Sequence, residues 1–279
     1  MFYRTFRREA ATIIFKAVIT IVSIVFVFAF IDTWYNIEAV SDGSCNIAVL
    51  PIEGVILPFN GYEDYPLVVT PGLVRDFISK SEDDVNIKGL LLEINSPGGT
   101  PVAAEQISNY INDSSLPSIG LIGDIGASGA YLVAASTDTV IASAMSDVGS
   151  IGVTMSYLEN TAKNEEEGIS FVELTSGKFK EAGNPNRELS EEERELFEAD
   201  LKIVHDEFVR QIAEMRNKSV EEIQALADGS SMPGIRALEK GLIDQIGNRT
   251  TAKEVFSVKL SLGVDEIVFC EYSPETFFY

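Results

Sequence analysis

Short apolar segments alternate with helical segments through the first half of the chain, and this alternation limits the fold more than any other feature. One of them, "IKGLLLEIN" at 87–95, is a continuous apolar run of the kind that is buried on both faces of a sheet. Strands and helices that follow each other through short turns predict an α/β fold with a parallel sheet and right-handed crossovers. The predicted strands are 45–57, 87–95, 117–123 and 138–143, and the predicted helices are 71–84, 101–112 and the stretch that follows Ser128.

Two glycine-containing segments follow neighbouring strands of this predicted sheet. "INSPGG" ends at Gly99 and "GDIGASG" ends at Gly129, and residues 96–99 are predicted to form a tight turn. Because functional groups gather at the carboxyl ends of parallel strands, we expect the two segments to lie side by side. Ser128 would then suit a nucleophile, and the N–H groups of Gly98, Gly99 and Gly129 would suit oxyanion donors. The alternative, which the local pattern alone favours, is that small residues here allow close packing of helix on sheet.

A serine nucleophile needs a base, and the sequence offers two kinds. His205 is the only histidine, and it lies among charged residues in a predicted helix over 190–217, which is typical of a surface or packing role. A lysine serves instead when desolvation lowers its pKa toward neutrality. Lys178 and Lys180 suit that role best, because "TSGKFKEAGNP" is a glycine-containing segment in a region of strand and loop past residue 150. By default, however, a lysine is a solvated surface charge, and composition does not choose between the two.

The N-terminal 45 residues have the pattern of a membrane anchor followed by a linker. A basic segment, residues 1–12, precedes an apolar run at 13–31 that only Lys16 interrupts, and a Trp-Tyr pair follows as an interfacial belt. The run is long enough to span a bilayer if Lys16 snorkels toward the headgroups. We expect an uncleaved transmembrane helix with a cytoplasmic N-terminus and an extracytoplasmic body, joined by a linker at 32–45. A cleaved signal peptide and a buried core helix are the alternatives.

Charge and cysteine content exclude two classes of ligand. The formal net charge of −22 argues against nucleic acid, whose phosphates require Lys and Arg. The two cysteines, Cys45 and Cys270, form no CxxC motif and no Cys/His cluster, so no zinc site is predicted. We expect two unpaired buried thiols, with a Cys45–Cys270 disulfide as the alternative in an oxidising compartment.

Five segments, taken in order, resemble the motifs of the signal peptide peptidase A family of membrane-anchored serine peptidases. They are "INSPGGTPVAAEQI", "GDIGASGAYLVAAST", "GSIGV", "TSGKFKEAGNP" and "ALEKGLIDQIG". The resemblance runs from about residue 46 to 250 and implies the ClpP/crotonase-like fold, a parallel sheet with flanking helices. It places a peptidase domain at 46–260 and leaves a C-terminal tail at 261–279 without an assigned role. A single copy of the domain resembles the short members of the family, which form homo-oligomeric rings.

By this resemblance the chain is a serine endopeptidase that degrades cleaved signal peptides and other short, apolar, unfolded peptides. Ser128 is then the nucleophile and Lys180 the base, from the same chain or from a neighbouring subunit, and no metal or other cofactor is implied. The remaining site positions are the oxyanion donors Gly99 and Gly129, the adjacent alternative Gly98, and Ser150, which hydrogen-bonds the lysine amine. A crotonase-type acyl-thioester enzyme and a non-catalytic membrane ring scaffold are the alternatives.

Overall fold

A mostly parallel sheet forms the centre of the molecule. The computed structural model describes Lys16 and residues 18–26, 40–59 and 67–270. Within those residues the strands are β1 (Ile47–Ile56), β2 (Val68–Val69), β3 (Gly89–Gly99), β4 (Ser118–Ala127), β5 (Thr139–Ala142), β6 (Asp147–Gly149), β7 (Ser231–Pro233), β8 (Gln245–Ile246) and β9 (Phe269–Cys270). They run in the order β2-β1-β3-β4-β5-β8, while β9 pairs with β1 and β6 pairs with β4 and β7. Every one of these pairings is parallel except that of β6 with β7, so the predicted parallel α/β sheet is confirmed.

Helices flank the sheet, and local sequence signals set where several of them begin and end. They are α1 (Pro71–Asp83), α2 (Pro101–Asp113), α3 (Gly129–Ala135), α4 (Thr161–Glu166), α5 (Glu191–Met215), α6 (Val220–Gln224), α7 (Gly234–Lys240) and α8 (Arg249–Leu260). A capping box of Ser190 and Glu193 starts α5, because each side chain accepts a backbone N–H of the other residue. Gly241 ends α7 in the left-handed conformation, with φ of 73°.

Alternate residues of β3 enter two different hydrophobic clusters, which explains the uninterrupted apolar run at 89–92. Leu90 and Leu92 belong to a large cluster with side chains of α1, α2, α3 and α5, whereas Leu91 belongs to a smaller one with Phe256 of α8. Each of the three leucines is at most 2% exposed, and burying such a side chain contributes about 1.5–3 kcal/mol to folding. The prediction that residues 87–95 are buried on both faces is therefore confirmed.

Residues 96–99 continue β3, so the predicted tight turn is wrong. Val55 pairs with Gly98 and Ile56 with Gly99, after a shift of register that begins at Glu53. Gly98 has φ of +96°, a conformation that glycine adopts without steric cost. Proline and glycine usually mark turns, but here they form the irregular end of a paired strand.

The two cysteines form a disulfide, so the prediction of two unpaired thiols is also wrong. Cys45 lies two residues before β1 and Cys270 ends β9, which lies beside β1 in the sheet. The pairing of Ala48 with Cys270 brings the two ends of the body together. The sequence gives no sign of β9, which lies within the predicted tail at 261–279; residues 271–279 of that tail lie outside the described part of the chain.

Residues 152–190, here called the arm, contribute no buried residue. The arm contains α4 and extended backbone that pairs with no strand in the described part of the chain, although the sequence indicates strand and loop there. Its large apolar side chains are 38–92% exposed. They are Met155, Tyr157, Leu158, Ile169, Phe171, Val172, Leu174 and Phe179. Exposed apolar residues in this number mark surfaces that contact other molecules.

The predicted anchor at 13–31 lies largely outside the described residues. Within it, Lys16 and residues 18–26 are helical and exposed. Among the residues described, no helix combines the length and the apolar character that crossing a membrane requires. Residues 1–12 and most of the linker at 32–45 also lie outside the described part, so the anchor stays a prediction.

Candidate active site

Ser128 occupies a strained turn between β4 and α3. Its φ and ψ are 53° and −127°, a backbone region that residues with a side chain rarely adopt. The Ser128 N–H donates to the Gly149 carbonyl at 2.7 Å, which helps to hold the turn. Its Oγ makes no hydrogen bond within the residues that the structure describes. A strained serine between a strand and a helix also forms the nucleophile elbow of α/β-hydrolases, where the turn exposes the hydroxyl.

The two glycine-containing segments lie side by side, which confirms the sequence prediction. A Cβ added to Gly98 would lie 2.8 Å from Gly129 N, and one added to Gly129 would lie 3.5 Å from Gly99 N. The added Cβ of Gly129 would also come within 2.8 Å of the Cβ of Ala104, so only glycine fits this close approach of segment to helix. Because Gly129 is the first residue of α3, its N–H has no acceptor within the helix.

An apolar cavity of about 500 Å³ opens beside Ser128. Gly99, Ser128 and Gly129 line it, so the candidate nucleophile and both candidate oxyanion donors border the same space. The apolar side chains that line it come from α2, α3, α5 and the start of the arm: Val102, Ala104, Leu132, Val153, Ile203, Val204 and Phe208. Concave sites of this size with a few polar groups are typical of ligand pockets.

Part of the cavity wall carries charge. Arg210 donates to both oxygens of Glu207, at 2.7 and 2.8 Å, and Gln211 donates to Glu207 at 2.8 Å. These hydrogen bonds, that of Arg210 first, lower the pKa of Glu207 to about 2, so its carboxylate stays ionised at neutral pH. Gln211 also donates to Glu105 at 2.7 Å, which joins α5 to α2 across the cavity.

A second cavity, of about 470 Å³, lies on another side of Ser128 and is more polar. Ser128, Ser150, His205 and Asp228 all line it. Ser150 also has an unusual backbone, with φ of 50°, and its Oγ donates to the Gly229 carbonyl at 3.0 Å. Because that hydroxyl proton is already used, the oxygen lone pairs remain able to accept a hydrogen bond. The structure thus brings Ser150 and His205 to the same cavity as Ser128.

Lys180 lies apart from these cavities, in a turn of the arm. It is exposed, and neither cavity lined by Ser128 includes it. Its amine has no ion-pair partner among the described residues, whereas Lys178 pairs with Glu192 at 2.7 Å and lies 5.1 Å from the centre of the Phe179 ring. Lys180 is therefore the freer of the two lysines, and its pairing with Ser128 stays a prediction.

A charged network fastens the turn that carries Lys180 to the start of α5. Arg187 donates to the Glu181 carbonyl at 3.0 Å and to Glu193 at 2.8 Å. The Glu193 side chain is only 4% exposed and also accepts the N–H of Ser190 at 2.9 Å. These bonds, that of Arg187 first, lower the pKa of Glu193 to about 2. The turn is thus held at its base, although no residue of the arm is buried.

Sequence reasoning missed the loop of residues 227–230, which contributes Asp228 and Gly229 to the polar cavity. The "DGSS" segment indicates a turn, but nothing in it indicates contact with Ser150, almost eighty positions earlier. It also gave His205 only a surface or packing role, because helical spacing does not show which cavity a side chain borders. Among the described residues, no group of three or more His, Cys, Asp or Glu could hold a metal ion.

Several known proteins are similar to this chain in sequence. The sequence profile described as "Peptidase family S49" matches residues 111–262. "Putative protease MJ0651" of Methanocaldococcus jannaschii is 33% identical over 70% of this chain and 62% of its own length. "Putative signal peptide peptidase SppA" of Enterococcus faecium is 32% identical over 71% of this chain and 58% of its own length. "Serine protease SPPA, chloroplastic" of Arabidopsis thaliana is 27% identical over 81% of this chain and 34% of its own length. The chain thus spans about six-tenths of the length of the first two relatives.

Proposed function

The chain belongs to peptidase family S49, and on that premise we propose that it is a serine endopeptidase with Ser128 as its nucleophile. The observation that carries the proposal is the strained strand–helix turn at Ser128, which borders two cavities and lies beside Gly99 and Gly129. Backbone strain of this kind persists only where surrounding structure fixes it, and it is concentrated at active sites. The parallel sheet agrees with the ClpP/crotonase-like fold that the resemblance implies.

In the proposed reaction, Ser128 Oγ attacks a peptide carbonyl carbon while the neutral amine of Lys180 takes the hydroxyl proton. The carbonyl oxygen becomes an oxyanion, which the N–H groups of Gly99 and Gly129 stabilise. The C–N bond then breaks, and the Lys180 ammonium gives its proton to the leaving amine. Water attacks the acyl ester through the same proton transfers, which releases the carboxylic acid and restores Ser128.

Ser150 would orient the lysine amine. Its hydroxyl already donates to Gly229, so its oxygen is left to accept an N–H from Lys180. A neutral amine that donates one hydrogen to Ser150 keeps its lone pair for the Ser128 hydroxyl. The shared cavity of Ser128 and Ser150 supports this assignment, because both residues line the space in which the amine would lie.

The apolar cavity suggests the class of substrate. A peptide whose carbonyl lies at Gly99 and Gly129 would extend an apolar side chain toward Leu132 and Phe208. Burying one such side chain contributes about 1.5–3 kcal/mol, enough to favour apolar segments over polar ones. Cleaved signal peptides, which are short and apolar, have the chemistry that this cavity would select.

The exposed arm supports a homo-oligomer in which the base crosses between subunits. A lysine works as a base only where it is desolvated, yet Lys180 is exposed on an arm without a core. Contact of the apolar arm with a second copy would bury both the arm and Lys180. The resemblance to short, ring-forming family members points the same way, and we propose that Lys180 serves the Ser128 of a neighbouring subunit.

Two features support an extracytoplasmic location. The sequence pattern at 1–31 is that of an anchor with a cytoplasmic N-terminus. The Cys45–Cys270 disulfide is of a kind that persists in oxidising compartments. We therefore propose a single-pass membrane protein whose catalytic body lies outside the cytoplasm.

Cleavage of an apolar fluorogenic peptide by the full chain in detergent micelles tests the proposal. Ser128→Ala and Lys180→Ala should each lose at least about a thousandfold in kcat, as removal of a dyad member does. Lys178→Ala is the matched control, since Lys178 lies two positions away and is paired with Glu192, and it should stay within about threefold of the parent. Undiminished cleavage in either dyad variant would refute the dyad.

Two additions separate the alternatives. Mixing Ser128→Ala chains with Lys180→Ala chains restores activity if the dyad crosses subunits, and it leaves the mixture inactive if one chain supplies both groups. Hydrolysis of acyl-thioesters without peptide cleavage would instead indicate a crotonase-type enzyme. A correctly folded chain that hydrolyses neither substrate would indicate a scaffold.

A further inference from the structure

The loop of residues 227–230, here called the 227–230 loop, is bonded directly to the strained Ser150. It joins α6 to β7, and the N–H of Gly229 donates to the Ile151 carbonyl at 3.0 Å. In the other direction, Ser150 donates twice: its N–H to the Ser230 carbonyl at 3.0 Å and its Oγ to the Gly229 carbonyl at 3.0 Å. Three hydrogen bonds thus fix Ser150 and its neighbour on the 227–230 loop.

The same edge of the sheet holds Ser128. The Ser128 N–H donates to Gly149, and Gly149 pairs with Ser231, the residue that follows the 227–230 loop. Ser128 and Ser150 both have positive φ values, 53° and 50°. The strain at each such residue is comparable in size with one or two hydrogen bonds. The bonds that end on this loop therefore hold Ser150 directly and reach Ser128 only through Gly149.

His205 fixes the other end of the loop. Its Nε2 lies 3.1 Å from the Ala227 carbonyl oxygen, and because a carbonyl only accepts, Nε2 carries the hydrogen and donates it. The position of His205 is itself well determined, since α5 is anchored in the core by Val209 and Ile212, both 0% exposed. The imidazole thus connects α5, a helix with a buried face, to the 227–230 loop.

We propose that His205 is a positioning residue for the Ser128 site. Its hydrogen bond holds Ala227, the 227–230 loop holds Ser150, and β7 holds Ser128 through Gly149. The catalytic part of this inference rests on the proposed peptidase function, whereas the structural part does not. In this role the imidazole is needed for the N–H at Nε2 and not for its basicity, so another donor at that position would serve.

A pair of substitutions separates this role from the alternatives. His205→Gln places an amide N–H near the position of Nε2, whereas His205→Met has a similar length and no donor. For the full chain in detergent micelles, we expect His205→Met to lower kcat for the apolar peptide about tenfold, because it leaves the Ala227 carbonyl without a partner. His205→Gln should retain activity within about threefold. Equal large losses in both would identify a base, and full activity in both would identify a surface residue; either result overturns the inference.

Hydrogen exchange gives a readout that does not depend on catalysis. The amides of Ser150 and Gly229 are protected by bonds to or from the 227–230 loop. Their exchange should accelerate about tenfold in His205→Met and stay near the parent rate in His205→Gln. Residues 249–260, in α8, serve as an internal control for correct folding. Unchanged exchange in His205→Met would refute the inference, whereas a parent chain that cleaves no peptide would refute only the proposed function.

Asp228 offers a test that leaves His205 in place. Its Oδ1 accepts hydrogen bonds from the N–H and the Oγ–H of Ser230, at 2.9 and 2.6 Å. Both bonds lie within the 227–230 loop and stabilise its conformation. Asp228→Ala should mimic His205→Met, while Asp228→Asn keeps the acceptor oxygen and should behave like His205→Gln. Because both bonds act through one loop, the double variant should lose less than the product of the single losses. Losses that multiply to about a hundredfold would show independent effects and overturn the inference.

Discussion

Removing the Cys45–Cys270 disulfide should destabilise the body strongly, and the structure gives the size of the effect. The bond closes a loop with a sequence separation of 225 residues, which is almost the whole described body. In the chain-entropy treatment, closing a loop of this length lowers the entropy of the unfolded chain and so raises its free energy by about 5 kcal/mol. This value is near the upper end of the 2–5 kcal/mol of stability that is lost when a native disulfide is removed. For a domain of this size, each kcal/mol moves Tm by about 3 °C. We therefore expect Tm to fall by about 5–15 °C.

The measurement is thermal unfolding of the full chain in detergent micelles, followed by circular dichroism. Cys45→Ala with Cys270→Ala is the suitable variant, because alanine leaves no polar group in the buried site beside β9. Dithiothreitol should lower the Tm of the parent and leave that of the double variant unchanged. Since the sequence contains only these two cysteines, a thiol count on the denatured, unreduced chain is unambiguous. Two free thiols, or a double variant that unfolds within about 2 °C of the parent, would refute the reasoning.

Three further predictions concern single residues. Gly98→Ala should abolish peptide cleavage and lower the free energy of unfolding by at least about 2 kcal/mol. The new Cβ would lie 2.8 Å from backbone atoms, and the residue would have to keep a φ of +96°. Gly123→Ala, whose Cβ would meet nothing closer than 3.6 Å, is the control in the same urea titration. The depressed pKa of Glu193 predicts a contribution to stability that is complete above its ordinary pKa of 4.5 and is lost as pH falls toward about 2, so Glu193→Gln should flatten this part of the stability–pH curve. Tyr131→Phe should lower the free energy of unfolding, measured in urea, by about 1–2 kcal/mol. The buried Tyr131 hydroxyl donates to a backbone carbonyl at 2.8 Å, and that carbonyl would lose its partner. An unchanged midpoint of urea unfolding would contradict this prediction.

The sheet could be predicted because the apolar composition of its strands indicates that they are buried. Residues 89–92 form an uninterrupted run of glycine and leucine, a pattern that is typical of a strand covered on both faces. The helices that follow each strand carry local start signals, such as Pro101 at the beginning of α2. Such local signals also sufficed to place Ser128 beside Gly98 and Gly129, since in a parallel sheet the carboxyl ends of adjacent strands share one edge.

What could not be predicted depends on contacts between distant parts of the chain. The strand β9 at 269–270 is only two residues long. It forms because it pairs with β1 and because Cys270 is joined to Cys45 by the disulfide. The pairing of β6 with β7 likewise joins residues more than eighty positions apart, and the 227–230 loop reaches Ser150 only through that pairing. Local periodicity carries no information about either contact, so the polar half of the site could not be derived from it.

The two proposed halves of the catalytic dyad differ in how the chain supports them. Ser128 lies between a buried strand and a buried helix, and its N–H donates to the Gly149 carbonyl of the neighbouring strand β6. Lys180 lies on an arm whose large apolar side chains are mostly exposed, and Arg187 and Glu193 hold the turn that carries it to the start of α5. Folding of one chain therefore preorganises the candidate nucleophile and the candidate oxyanion donors but leaves Lys180 exposed to water. On the proposed arrangement, association of chains would cover the arm and so remove water from Lys180. The same association would complete the active site of a neighbouring subunit. Catalytic competence would then depend on assembly, while the stability of the sheet would not.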